Sequence, residues 1–239
     1  MKYIYGPVQS RRLGLSLGVT LIPHKTCTFN CVYCQLGRTS AYTSERKDYL
    51  PINEILSEVK GWLEGNKAQA AGLSYITLSG AGEPTLNSGI EELILGIKSL
   101  TTTEVALITN ASLLKDPLNR RSVLNADLIV PSLDAATPKV FERIDRPAAG
   151  IRIEDIIEGL VSLRREFKGK LWLEVMLVKG ANDDIRHIRK LKAAIDRINP
   201  DKIQLNSPVR STAEPSILPV SRKKLEIIKE LLGNKAEVV

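Results

Sequence analysis

Cys27, Cys31 and Cys34 lie in the stretch Cys-Thr-Phe-Asn-Cys-Val-Tyr-Cys and are the only three cysteines in the chain. A C-x3-C-x2-C loop offers three thiolates to a four-iron cluster, whereas such clusters normally take four. An iron left without a protein thiolate is open to a small molecule, which points to cluster chemistry beyond electron storage. Three other readings stay open. A disulfide would leave one thiol over, and nothing else here resembles a secreted scaffold. A structural zinc would need a fourth ligand, for which His24, close before Cys27, is the candidate. An inert cluster with a non-cysteine fourth ligand is the last.

Composition narrows the setting. With 239 residues, 43% of them hydrophobic, the chain is expected to form one domain over 1–239. Within it, 1–15 is read as an N-terminal extension and 207–239 as a C-terminal loop and helix. No apolar run reaches the length of about 18 residues that a membrane span requires, so no membrane partner is expected. Gly6-Pro7 interrupts the first residues before any secretory apolar core. Thiols gathered for metal in a chain otherwise free of cysteine fit a reducing interior, and the expected location is cytoplasmic. The net charge of +7 favours an anionic partner, nucleic acid among them, or a solvated basic surface.

The elements that must position the cysteines follow from hydrophobic period. Apolar strands are predicted at Leu15–Ile22, Leu73–Leu78, Glu104–Thr109, Asp127–Leu133, Leu171–Val178 and Lys202–Asn206. Between them lie amphipathic helices: one opened by Pro51, one through Ile90, Leu93, Ile94 and Ile97, and a weaker one at Pro117–Leu124. Further helices are read at Ile153–Phe167, through Ile185, Ile188, Leu191 and Ile195, and from an N-cap at Ser221 to Gly233. This alternation predicts an α/β fold with a parallel sheet. Six units are too few for a complete barrel, so a partial (β/α)6 barrel is expected, with a doubly wound open sheet as the alternative. Each predicted strand leads into polar or glycine-rich residues. They are the cysteine loop, Ser79-Gly80-Ala81-Gly82-Glu83-Pro84, Thr109-Asn110, Ser132-Leu133-Asp134, Lys179-Gly180-Ala181-Asn182 and Asn206. The C-terminal edge of such a sheet is where sites assemble.

These residues resemble the radical S-adenosylmethionine (SAM) superfamily over nearly the whole chain. The resemblance implies a partial barrel of radical SAM type whose cofactors are a [4Fe-4S] cluster and SAM. The reduced cluster would cleave SAM to a 5′-deoxyadenosyl radical. It implies Cys27, Cys31 and Cys34 as cluster ligands, Phe29 and Tyr33 packed around the cluster, and Tyr33 near the adenine. Ala81-Gly82-Glu83-Pro84 stands where the family carries Gly-Gly-Glu-Pro, preceded by Gly80. Its backbone carbonyls and Glu83 would accept hydrogen bonds from the SAM ammonium. Thr109, Asn110, Ser132 and Asp134 are candidates for the ribose and carboxylate of SAM, and Asn182 and Asn206 are further ones; turn capping is the bland reading of all these polar strand ends.

Arg11-Arg12-Leu13-Gly14, the Ser79–Leu86 stretch and Ser132-Leu133-Asp134-Ala135 resemble the wyosine-synthase-related branch, whose characterised members act on transfer RNA. With no cysteine left for a second cluster, the chain reads as a compact single-cluster relative. An RNA substrate is therefore expected, with Arg11, Arg12, Arg38, Arg143, Arg146 and Arg210 at the site mouth. A one-electron donor such as flavodoxin or ferredoxin is the expected partner. The alternatives are an enzyme acting on a protein substrate or peptide, such as a glycyl-radical activator, and an electron-transfer iron–sulfur protein.

Overall fold

The computed structural model describes residues Met1–Val239. A hairpin of β1 (Ile4–Ser10) and β2 (Gly14–Val19) leads into the cysteine loop, which carries the short strands β3 (Thr26–Cys27) and β4 (Ala41–Tyr42). The chain continues through α1 (Ile52–Gly65), α2 (Lys67–Ala71), β5 (Tyr75–Leu78), α3 (Ile90–Leu100), β6 (Glu104–Thr109), α4 (Pro117–Arg121) and β7 (Leu128–Pro131). It closes with α5 (Pro138–Ile144), α6 (Ile153–Glu166), β8 (Lys170–Met176), α7 (Ile185–Ile198), β9 (Lys202–Asn206), α8 (Arg222–Leu232) and β10 (Ala236–Val238).

The helices begin and end where the local chemistry allows. Pro51, in an extended conformation, precedes α1, which buries Ile52, Ile55 and Val59 along one stripe. Asp184 caps α7 by accepting from the His187 amide at 3.1 Å, and Asn199 ends it in the left-handed region at φ 52°. Ser221 caps α8, which stops at Gly233 with φ 101°.

Eight strands form one sheet in the order β1-β2-β5-β6-β7-β8-β9-β10, parallel throughout except for the β1–β2 hairpin. Strand residues alternate between its two faces. Leu17, Ile76, Leu107, Ile129, Leu173 and Ile203 join the large core shared with the helices. Leu13, Tyr75, Ala106, Leu128 and Val130 form a separate small core on the other face, with Trp172 against it. All the helices that contribute to the core thus pack on one side.

The sheet is strongly curled. Arg12, in the β1–β2 turn, pairs with Glu174 of β8. Strands β2 and β8 stand four places apart in the sheet order, about 19 Å in a flat sheet. Tyr75 of β5 and Trp172 of β8 meet edge to face with ring centroids 6.4 Å apart. Arg11 also donates to the Val239 carbonyl, beyond β10, at 3.2 Å. Such contacts require a concave surface, so the partial barrel holds and the doubly wound alternative does not.

Two expectations are corrected. The segment read as an N-terminal extension supplies β1, and the C-terminal segment adds β10 after its helix, so two further strands flank the six expected. Helix α5 also lies where the sequence suggested none.

Within the hairpin, Gly18 makes room for its cross-strand partner Tyr5. A Cβ at this position would overlap the Tyr5 ring, which lies across it and whose hydroxyl hydrogen-bonds Ser79 Oγ at 2.7 Å. Gly18→Ala is therefore expected to cost about 1–2 kcal/mol in the native protein and much less in a Tyr5→Ala background. Urea unfolding of the four members of this double-mutant cycle measures the difference.

Candidate functional site

The cysteine loop is held by the loop that follows β5. The Lys25 amide donates to the Ala81 carbonyl at 2.6 Å, and the Glu83 amide to the Thr26 carbonyl at 3.1 Å. Gly82 bridges Thr26 as a further strand residue would, and a Cβ on Gly82 would collide with the Thr26 carbonyl oxygen. Glycine is obligatory there because two backbones touch, whereas Ala81 is tolerated.

Glu83 fastens this pair of loops to the next strand. Its Oε1 accepts from the Thr85 amide at 3.1 Å, Thr85 Oγ1 at 2.6 Å and Thr109 Oγ1 at 2.6 Å, while Oε2 accepts from the Asn110 amide at 2.7 Å. Burial raises its pKa, and these donors work against the rise. Three donors crowd Oε1 and one reaches Oε2, whose second acceptor position is left unpaired. The carboxylate thus shapes the loops and keeps one acceptor, on Oε2.

Asn182, expected to bind the cofactor, is corrected. It is fully buried, its Oδ1 accepts from the Val178 amide at 2.7 Å, and its Nδ2 donates to the Asp134 and Met176 carbonyls at 2.8 Å. It closes its own loop and offers a ligand nothing. Asn206 is likewise engaged, with Arg11, Glu174 and the Ser207 amide.

Four expected residues do converge. Tyr33, Asn110, Ser132 and Asp134, from three loops, line one cavity of about 30 Å³ together with Phe29 and Asp145. Gly80, with φ 102°, lies beside the Tyr5 ring rather than in that lining. The Tyr33 hydroxyl donates to Asp134 and, at 3.4 Å, to Asp145, while the Met176 amide donates to Asp134 Oδ1 at 2.7 Å. Burial pushes the Asp134 carboxyl up to about 7, and burial with the charge of Asp134 holds Asp145 well above the usual carboxylate range. Asp145 has no counterpart in the sequence reading, because it ends the unforeseen helix α5.

The donor set suits a cluster. No three His, Cys, Asp or Glu side chains converge on one ion-sized point, as a mononuclear zinc site would need. A cubane spreads its ligands over separate irons, which three half-buried thiols on one loop can serve. Donors already face the sulfurs: the Phe29 amide at 3.5 Å and Asn110 Nδ2 at 3.6 Å approach Cys27 Sγ, and Lys25 Nζ lies 3.0 Å from Cys34 Sγ. Burial raises the Cys27 thiol to about 11 and the Cys31 thiol well above its ordinary value, so metal must displace protons to bind.

The arginines expected at the mouth are largely committed elsewhere. Arg12 pairs with Glu174 and Arg146 with Glu214. Arg11 reaches Asn206, and Arg143 donates to the Gly180 and Ala181 carbonyls. Arg210 makes one bond, to Gln35 at 3.3 Å, and Arg38 joins no ion pair. Like Asp145, Lys25 was missed by sequence reasoning; nothing in its type or position distinguishes it from a surface lysine.

Known proteins place this architecture. The model of the Radical SAM superfamily matches residues 21–191. A UPF0026 protein of Methanocaldococcus jannaschii is 34% identical over 242 aligned residues, covering 100% of this chain and 73% of that protein. A Brachyspira hyodysenteriae protein named GTPase Obg is 40% identical over 229 residues, 96% of this chain, but the chain spans only 33% of its length. In fold, the structure of TYW1 with a lysine–pyruvate adduct bound matches with a TM-score of 0.64 at 21% identity, covering 91% of this chain and 72% of that one.

The buried carboxyl pair gives the metal-free protein a pH signature. A folded-state pKa raised above the unfolded value stabilises below the unfolded value, and that stabilisation is lost as pH rises through the folded one. For Asp134 the window runs from near 4 to about 7. Asp134→Asn is expected to gain on the native sequence across that window, by up to about 1.4 kcal/mol per pH unit. Chemical denaturation of both iron-free proteins at several pH values reads the slope.

Proposed function

This chain belongs to the radical SAM superfamily, and from that premise we propose that it is a single-cluster enzyme of the wyosine-synthase-related branch acting on RNA. The superfamily uses a [4Fe-4S] cluster and SAM, and its members cleave SAM reductively to a 5′-deoxyadenosyl radical that starts the reaction on the substrate. In this reading Cys27, Cys31 and Cys34 hold the cluster and residues 1–239 act as one unit.

One observation carries the assignment of the site: the loop of Gly80–Pro84 is hydrogen-bonded directly to the strand that bears Cys27. Whatever that loop binds is held against the first cysteine. Glu83 fixes the loop to Thr109 and Asn110, so their backbone keeps one shape as ligands come and go. Ser132, which makes no side-chain hydrogen bond, and the Tyr33–Asp134–Asp145 group present the polar wall on which a ribose or carboxylate would be oriented. Phe29 and Phe141, edge to face at 5.3 Å, supply the apolar wall that excludes water. A flavodoxin or ferredoxin would deliver the electron.

RNA as the substrate rests on Arg11-Arg12-Leu13-Gly14, Ser79–Leu86 and Ser132–Ala135 together with the charge of +7. Because Arg11, Arg12, Arg143 and Arg146 are engaged within the protein, Arg38 and Arg210 are the arginines left to meet phosphate.

Anaerobic reconstitution should load about four irons, the content of one cubane on three thiolates. With dithionite the loaded protein should form 5′-deoxyadenosine, and alanine at Cys27, Cys31 or Cys34 should abolish it. Total transfer RNA should stimulate that formation, with an affinity that falls steeply as salt rises. Stimulation by a peptide fraction and none by RNA would transfer the assignment to protein modification.

A further inference from the structure

Lys25 is only 3% exposed, yet none of the chain's carboxylates lies within ion-pairing distance of it. Its one side-chain partner is Cys34 Sγ, 3.0 Å from Nζ. The backbone enforces this position. Lys25 sits in the left-handed region at φ 54°, a strained conformation for a residue with a long side chain. Its amide donates to Ala81, and its carbonyl accepts from the Ser40 and Ala41 amides at 3.2 and 3.0 Å. Three separate segments thus converge to aim one lysine inward.

An ammonium taken out of water without an opposite charge is strongly destabilising. An apolar side chain would fill the same space at no such cost. A neutral thiol is a weak acceptor and compensates the ammonium poorly, whereas a metal-bound thiolate supplies the missing anion. The arrangement is complementary to the metal-loaded protein. Reduction of a cluster on these cysteines adds one more negative charge, and a fixed cation beside a ligand sulfur favours the state that carries it. Charge near the cluster and hydrogen bonds to its sulfurs are among the quantities that set cluster potentials.

We propose that Lys25 is a positioning residue for cluster electrostatics, hydrogen-bonded through its ammonium to Cys34 and raising the reduction potential of the cluster. The inference rests on the reading of Cys27, Cys31 and Cys34 as cluster ligands. It concerns the cluster before SAM binds, so it is measured without SAM.

The experiment is a potentiometric titration of the anaerobically reconstituted protein, followed by the paramagnetic signal of the reduced cluster, alongside Lys25→Met and Lys25→Arg. Lys25→Met should lower the equilibrium constant for one-electron reduction about tenfold, a shift of about 59 mV to more negative potential. Lys25→Arg, which keeps the charge and a donor, should restore most of it. An iron-replete Lys25→Met protein that titrates within twofold of the native one overturns the proposal. If Lys25→Met does not retain iron, the comparison passes to iron content. Retention by Lys25→Arg but not by Lys25→Gln supports the role of the charge, and loss in both overturns it. A native protein that assembles no four-iron cluster overturns the cluster reading, and the inference with it; a native cluster with an indifferent lysine overturns the inference alone.

Discussion

The arrangement of this site depends on one buried carboxylate. Glu83, only 2% exposed, lies beneath the place where the loops after β2, β5 and β6 meet, and ionised it would be intolerable there without donors. Thr85, Thr109 and the Asn110 amide supply them. The dependence runs both ways, since without the carboxylate those donors would be buried and unpaired. A glutamate in a loop motif suggests a ligand contact, but here it also ties the loops of the protein together. The residues around it are thereby held in place without having to touch one another.

Curvature does the corresponding work at larger scale. Parallel strands bring their C-terminal ends to one edge, but a flat edge would string the loops out in a row. The contact of Arg12 with Glu174 and that of Tyr75 with Trp172 span the concave face, so loops after distant strands look toward a common point. The antiparallel β1 matters for this reason. Its turn carries Arg11 and Arg12 under the sheet, where they join Glu174 and Asn206 in a polar network on the side opposite the helices.

How much of this was legible in the sequence varies with what each residue's surroundings decide. Strand Glu104–Thr109 reads off at its observed bounds because a run buried on both faces has a plain apolar signature, and Lys202–Asn206 because Ile203 and Leu205 alternate with polar residues. Strand β1 was hidden by Gly6-Pro7 and a mostly half-exposed face, and β10 by its length of 3 residues. The polar strand ends were legible as a group, since residue type and position mark them. Their individual duties were not: Asn182 reads as a ligand group but closes its own loop, while Ser132 looks no different in sequence and is free. Lys25 illustrates the limit best. Burial and a sulfur neighbour distinguish it from the chain's other lysines, and both are properties of the fold.

The close approach of Gly82 to Thr26 has a bearing on how such loops can be recombined. Since the two backbones touch, the cysteine segment and the glycine segment form one inheritable block, although more than fifty positions separate them in the chain. A graft that transplants the cysteine loop alone into another scaffold would leave behind the surface that moulds it. A randomised library would need to keep glycine at 82 while letting position 81 vary. The minimal portable unit is a pair of segments with a shared seam.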